Sequence, residues 1–430
     1  MEIKPLSVVS FFQLVGLFAC EEEFKPEMKP NNFKKKKYSI QVLFIALLAA
    51  CSGFMMHSCE EPFTLEIDPK YNEQLVVDGM ITNEPGPYTV SLSLSSPLGT
   101  NQFFPLSGYQ VFIEEENGVS ELLVESENGV YISSADGIQG IEGEKYRVRI
   151  QSPDGKNYQS DYEILQPALP IQEVYYEVEY TSVDYFPFDL PGYRFYVDGG
   201  EAQQDTLYLM WNLEETWEYE SDFKIFYSYY DRIVHPVQNI DTLKTCWATR
   251  AVNGFYFFTT EGFSSPEVVN YPLHIVNTDT RKLSIRYSLL TRQMTLTRNA
   301  YKYWQKTVEQ STENDQLYTK QPFQVHGNVY NINNPEEPVL GYFATAGISS
   351  IRIFVNRPPP TIEMYYQECF LSENDYFRYG SMFNGPGPDA SDPIYVTEDE
   401  QGARAVPHPA CLDCRMRGGK LEKPDFWIDE

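Results

Sequence analysis

Histidine and positive charge are what this sequence has least of. Five of its 430 residues are histidine, and 33 Lys and Arg stand against 61 Asp and Glu, a formal net charge of −28. An acidic excess of that size excludes nucleic acid and anionic lipid as electrostatic partners, because both repel it. Chemistry-bearing motifs are missing too. There is no Gly-x-Ser-x-Gly elbow, no His-Glu-x-x-His pair and no Gly-rich phosphate loop. Pairs of carboxylates are uninformative where acids are so common. No catalytic residue, cofactor or metal is therefore expected. Long apolar runs are absent as well, except near the start of the chain.

There, Lys34 to Lys37 precede the apolar run Val42 to Ala50, and small residues lead into cysteine. A basic n-region, an apolar h-region and small residues before a cut make an export signal. Two cysteines are candidates for lipid attachment. Cys51 ends the Leu48-Ala49-Ala50-Cys51 box, and Cys59 opens directly into Glu60-Glu61-Pro62-Phe63, where the polar chain begins. Two or three acyl chains on such a thiol anchor a protein stably where one does not. The alternative is an uncleaved membrane helix over Tyr38 to Met56, which Ser52 and Gly53 interrupt. Residues 1–58 are thus assigned as the export region. A second apolar run lies before Met28, and signals do not come in tandem, so Met28 is expected to be the true initiator.

Without residues 1–58 the chain loses seven of its Lys and Arg and five of its Asp and Glu. That leaves 26 basic and 56 acidic side chains in roughly 370 residues. Four cysteines remain beyond the anchor, namely Cys246, Cys369, Cys411 and Cys414. An even number in an exported chain implies disulfides, with three possible connectivities. A Cys411–Cys414 bridge closes only a tiny loop, so long-range pairs to Cys246 and Cys369 are expected. His408 and the Cys411/Cys414 spacing, with Cys369 as a fourth ligand, also have a zinc-like look. An oxidising compartment favours disulfides over that reading. The acidic stretches Asp389 to Asp392 and Glu398 to Glu400 are read as solvated loops, with calcium as the alternative.

Between residues 59 and 168 the pattern is short alternating runs between turn residues. Leu75 to Gly79, Tyr88 to Leu94, Tyr109 to Glu114, Glu121 to Glu125, Gly129 to Ile132, Gly143 to Ile150 and Tyr158 to Ser160 all read as strands. About seven strands at roughly ten-residue spacing predict an Ig-like or prealbumin-like β-sandwich, serving as a spacer or docking module. Pro167 to Pro170 make a linker to a second, larger β-rich domain over 169–430. The chain as a whole reads as mainly β.

Aromatic residues crowd the second domain. Most are expected in sheet cores as cross-strand pairs, but Tyr-Tyr doublets place one ring on each face of a strand. Tyr175, Tyr185, Trp211, Trp217 and Tyr229 are therefore candidates for an exposed platform that stacks on glycan or peptide. One prominent helix is predicted over about 295–314, capped by Thr295 or Thr297, with Ala300, Tyr303, Trp304, Thr307 and Val308 on one face. His326-Gly327-Asn328 is expected to turn, with Gly327 at positive φ. Ile348 to Val355 is a strand, and 384–410 is loop.

Several words in the chain resemble one family. They are Cys59-Glu60-Glu61, Leu75-Val76-Val77-Asp78-Gly79, Cys246-Trp247, His326-Gly327-Asn328-Val329, Val339-Leu340-Gly341-Tyr342-Phe343, and the Cys411 to Trp427 tail. Together they resemble Bacteroidota outer-membrane lipoproteins of a domain-of-unknown-function family, often encoded beside TonB-dependent receptors. That resemblance favours Cys59 for acylation and implies an outer-membrane location with a TonB-dependent β-barrel as partner. It supplies no catalytic residues. The expected function is a non-enzymatic accessory or substrate-binding subunit. A self-standing structural or adhesion protein and a glycan or peptide hydrolase are the alternatives.

Overall fold

The computed structural model describes residues 73–96, 103–313, 325–383 and 393–429. The export region, including Cys51 and Cys59, lies outside them. Among the described residues no helix is long and apolar enough to cross a membrane.

The chain is mainly β, as its alternation predicts. Its spine is a ten-stranded sheet whose central strands are Tyr208–Glu220, Arg286–Leu296, Val339–Asn356, Leu75–Thr82 and Thr89–Leu94. Side chains alternate across a strand, and the long strands use both faces. From Leu75–Thr82, Leu75, Val77 and Ile81 enter one core, while Met80 packs on the opposite face. From Tyr208–Glu220, Leu209, Trp211 and Leu213 face the same side as those three, and Met210 faces away.

Two lids cover the first face. A six-stranded sheet that includes Gln110–Glu115, Lys145–Gln151 and Asn157–Ser160 closes the first core, in which Val111, Ile113, Tyr146, Val148 and Ile150 are buried. This is the predicted sandwich. A three-stranded sheet of Ile171–Thr181, Leu190–Gly199 and Tyr271–Asn277 covers the second core, around Phe195, Trp211 and Tyr287. Helix α1 (Arg298–Glu313) lies on the other face and buries Ala300 and Tyr301 against Met210, Met294 and Ala344. The Thr297 hydroxyl accepts from the Ala300 amide at 3.2 Å, which settles the cap. A fourth sheet joins Tyr227–Tyr230, Ile233–Pro236, Ile394–Glu398 and Arg404–Ala405 beside helix α2 (Glu373–Ser381).

The boundary expected at 168/169 does not separate two sheets. Leu75–Thr82 runs parallel to the long strand, from Leu75 opposite Val339 to Thr82 opposite Ala346. Val329–Asn331 pairs with Asn157–Ser160 and extends the six-stranded sheet. Residues from the second half thus complete both layers of the first sandwich, and residues 70–430 form one compact unit. The two apolar pieces around 339–343 and 348–355 are one continuous strand of 18 residues.

Candidate functional site

The four cysteines form two long-range bridges, Cys246–Cys414 and Cys369–Cys411, with Cα separations of 5.7 and 6.0 Å. The tail they hold is also hydrogen-bonded into the sheet. Tyr219 donates its hydroxyl to the Cys414 carbonyl at 2.7 Å and accepts from the Gly419 amide at 3.0 Å. Asp222 accepts from Arg281 at 2.6 Å and from Arg417 at 3.1 Å beside the Cys369–Cys411 bridge. Asp222 and those two sulfurs cluster as a metal triad would. Both thiols are consumed by the bond, and a disulfide sulfur is no thiolate ligand. His408 is spent locally, its Nδ1 accepting from the Ala410 amide. Of the acidic loops, 389–392 lies outside the described residues. Asp399 accepts from the Gln401 and Ala403 amides within its own turn.

The five platform aromatics do not come together. Trp211 is fully buried, stacked on Tyr271 at 4.6 Å between centroids, with its indole N–H donated to Gln293 Oε1 at 2.9 Å. Trp217 is buried beneath Lys282 and Arg250, and Tyr229 packs with Met382 and Val396. For Trp211 and Trp217 the physical reason is the position of Tyr208–Glu220, whose neighbours pair on both its sides and whose two faces are both covered; Tyr229 belongs to the four-stranded sheet and its own small core.

Tyr175 and Tyr185 lie elsewhere, on the hairpin of Ile171–Thr181 and Leu190–Gly199. Its doublet behaves as expected, with Tyr175 stacked on Tyr196 across one face and Tyr176 on Tyr193 across the other. Ile171–Thr181 is an edge strand of its sheet. The face that buries Val174 continues outward as Tyr176, Val178 and Tyr180, which are 42, 44 and 67 % exposed. Glu173, Glu177 and Glu179 occupy the other face. At the tip Tyr185 is 73 % exposed, while Phe186 and Phe188 pack on Tyr365. Of this hairpin only Tyr175 and Tyr185 are among the five candidates, and the row of Tyr176, Val178 and Tyr180 is not. The available signal was an apolar row interleaved with acids in a strand that begins after a linker.

Two ionisable clusters sit inside the body. Glu215, buried on the central strand, accepts from Lys282, from the Tyr287 hydroxyl at 3.2 Å, and faces His274 Nε2 at 3.6 Å. Burial pushes its carboxyl up, but His274 and Lys282 outweigh that and hold it below the usual carboxylate range. The ring of Trp217 closes over Lys282, and the charges are matched. This cluster ties two sheets together.

The second cluster opens to solvent, in a cleft of about 370 Å³ between α1 and the 326–328 segment. Asn328 builds its wall by accepting from the Phe343 amide at 2.9 Å and donating to the Phe343 carbonyl at 2.8 Å, as a backbone partner would. Gly327 does not take the expected positive φ. It is needed because a Cβ there meets the Gly341 carbonyl at 1.5 Å. The positive φ belongs to Gly341, at 89°, where a Cβ meets the Val77 carbonyl at 1.9 Å. Three of the family words, at 75–79, 326–329 and 339–343, thus meet through backbone contacts. Within the cleft, Tyr342 donates to the buried Glu163, which Thr297 also hydrogen-bonds, and burial pushes the Glu163 carboxyl up. Lys302, Lys306 and Asn299 of α1 line the opposite side, with Asp161 and His326 at the rim.

A family model described as a domain of unknown function (DUF4249) matches residues 60–352. No curated protein matches the chain.

Proposed function

The chain belongs to the DUF4249 family, and on that premise we propose that it is a lipid-anchored, non-enzymatic subunit of an outer-membrane complex. In this reading acylation at Cys59, with Cys51 as the alternative, tethers a rigid, cystine-locked body. That body docks on a TonB-dependent β-barrel as an accessory or substrate-binding subunit. The observation that carries the proposal is the hairpin edge. An 11-residue edge strand leaves one side of its backbone without a partner strand among the described residues. It also exposes Tyr176, Val178 and Tyr180 in a row. Glu173, Glu177 and Glu179 charge its other face, and the contiguous apolar row that remains exposed marks an interaction surface. The four disulfide-forming cysteines support an oxidising compartment, and the basic and apolar run before Cys51 and Cys59 supports export.

The test is recovery of the protein from detergent-solubilised membranes, wild type beside a Tyr176→Asp/Tyr180→Asp variant. A stoichiometric β-barrel with the wild type, lost in the variant at an unchanged melting temperature, is the expected result. Absence of any barrel, or failure of metabolic palmitate to label the protein, counts against the proposal.

A further inference from the structure

We propose that the cleft between α1 and the 326–328 segment binds a small hydroxylated carboxylate of single-ring size, with its carboxylate held by Lys302 and Lys306. Nothing in the docking reading requires this site, and the site does not require docking.

Four residues apart on α1, Lys302 and Lys306 project from the same face on successive turns. Like charges so placed destabilise a helix, an arrangement that favours an anion between them. This chain has carboxylates to spare, and Lys145, Lys156, Lys244 and Lys282 each have one within 4 Å. Among the described residues neither Lys302 nor Lys306 forms an ion pair. Glu261 is close enough to feel Lys302, but its carboxylate is already taken by Arg298.

The other walls read hydroxyl groups better than they read charge. Glu163, 5 % exposed, forms the floor with the Tyr342 hydroxyl. Asp161 is an exposed acceptor at the rim, and the Asn299 amide and His326 imidazole offer donors and acceptors around it. Asn328 is not available, because both its polar atoms are spent on Phe343. A rim carboxylate repels a bare anion but accepts hydroxyl hydrogens, so the lysine pair and Asp161 together select an anion that carries hydroxyls. The volume of about 370 Å³ lies near the lower end of the roughly 300–1,000 Å³ typical of small-molecule sites. It has room for one sugar ring and not for a polymer segment.

An anion arriving above Glu163 raises that carboxyl further, so binding takes up a proton and tightens as pH falls. Titration calorimetry on the full-length protein in detergent, with glucuronate, glucose and inorganic phosphate as probes, tests this. Glucuronate is expected to bind, glucose at least tenfold more weakly, and phosphate more weakly than glucuronate. Lys302→Met/Lys306→Met should lose at least tenfold in glucuronate affinity, and Lys302→Arg/Lys306→Arg should recover most of it. Glu163→Gln should flatten the pH slope. No heat with glucuronate, an affinity untouched by the methionine pair, or phosphate bound as tightly as glucuronate would each overturn the inference.

Discussion

Opening the Cys246–Cys414 bridge is predicted to cost more than opening Cys369–Cys411, and by an amount that loop length sets. The outer bridge joins residues 168 apart and the inner one residues 42 apart. Constraint of the unfolded chain gives about 5 kcal/mol for the first and about 4 kcal/mol for the second at 25 °C. Closing the inner loop first shortens the outer one and trims its value by only a few tenths of a kcal/mol. Packing widens the gap. Cys246 and Cys414 are both fully buried in the core with Trp211 and Tyr219, whereas Cys369 is only half-buried. Replacing two core sulfurs by alanine methyls adds on the order of 1 kcal/mol. Cys246→Ala/Cys414→Ala should therefore be about 2 kcal/mol less stable than Cys369→Ala/Cys411→Ala. The assay is a urea titration followed by tryptophan fluorescence, with limited trypsin cleavage after Arg415, Arg417 and Lys420 as a local readout of tail release. Equal costs for the two variants, or a larger cost for the inner one, would refute the loop-length reasoning.

Other variants probe a buried charge and two glycines. Lys282→Met leaves the buried Glu215 without its closest cation and should cost about 2–3 kcal/mol, less than a fully buried pair because the Lys282 side chain is partly solvated. In the wild type the depressed Glu215 carboxyl stabilises the fold above the unfolded carboxylate range, and that contribution is lost as pH falls through the folded value. The melting-temperature gap between wild type and variant should accordingly be widest near neutral pH and shrink as pH falls through the folded Glu215 value, which a melting-temperature series against pH will read. Gly341→Ala, at φ 89° with a Cβ 1.9 Å from the Val77 carbonyl, should exceed 4 kcal/mol or prevent folding. Gly118→Ala, at φ 99° with open space around it, should cost only about 1 kcal/mol. Thermal melts of the two glycine variants, side by side, separate backbone strain from collision.

Much of the β architecture was legible because its signals are local. Leu75 to Gly79 and Tyr146 to Ile150 alternate over residues that see one core and one solvated face, and that period survives in the sequence. The Thr297 cap and the face of α1 are local as well, as is the short Cys411–Cys414 spacing that ruled out their direct bridge. Trp211, Trp217 and Tyr229 were misplaced because an aromatic ring in a strand carries no mark of whether a second layer covers it. Gly327 was assigned the wrong backbone role because His-Gly-Asn looks like a turn. Gly341 held the better clue, as an isolated glycine inside an apolar strand signals close approach of another backbone. The cleft escaped notice because Glu163, Lys302, His326 and Tyr342 come from four separated segments, none unusual alone.

That strands from beyond residue 168 join the first sandwich has a physical cause in strand edges. Had the first sandwich ended at residue 168, Leu75–Thr82 would be the open edge of one sheet and Asn157–Ser160 the open edge of the other. Leu75–Thr82 is regular and apolar on its inner face, and Asn157–Ser160 buries Tyr158 and Ser160 on its own; a regular strand left open in this way invites aggregation. The chain covers both from one place. Val329–Asn331 takes the Asn157–Ser160 edge, and the first eight residues of Val339–Asn356 take the other. Asn328 then braces the two segments to each other through the Phe343 backbone. Parallel pairing over such a sequence distance leaves no period and no turn residue to read, so only the glycines that let the backbones touch betray it. The same closure accounts for the cleft. His326, just ahead of the first edge-covering segment, and Tyr342, within the second, line the cleft with Lys302 and Lys306 of α1, so the site is a by-product of how the sandwich is sealed.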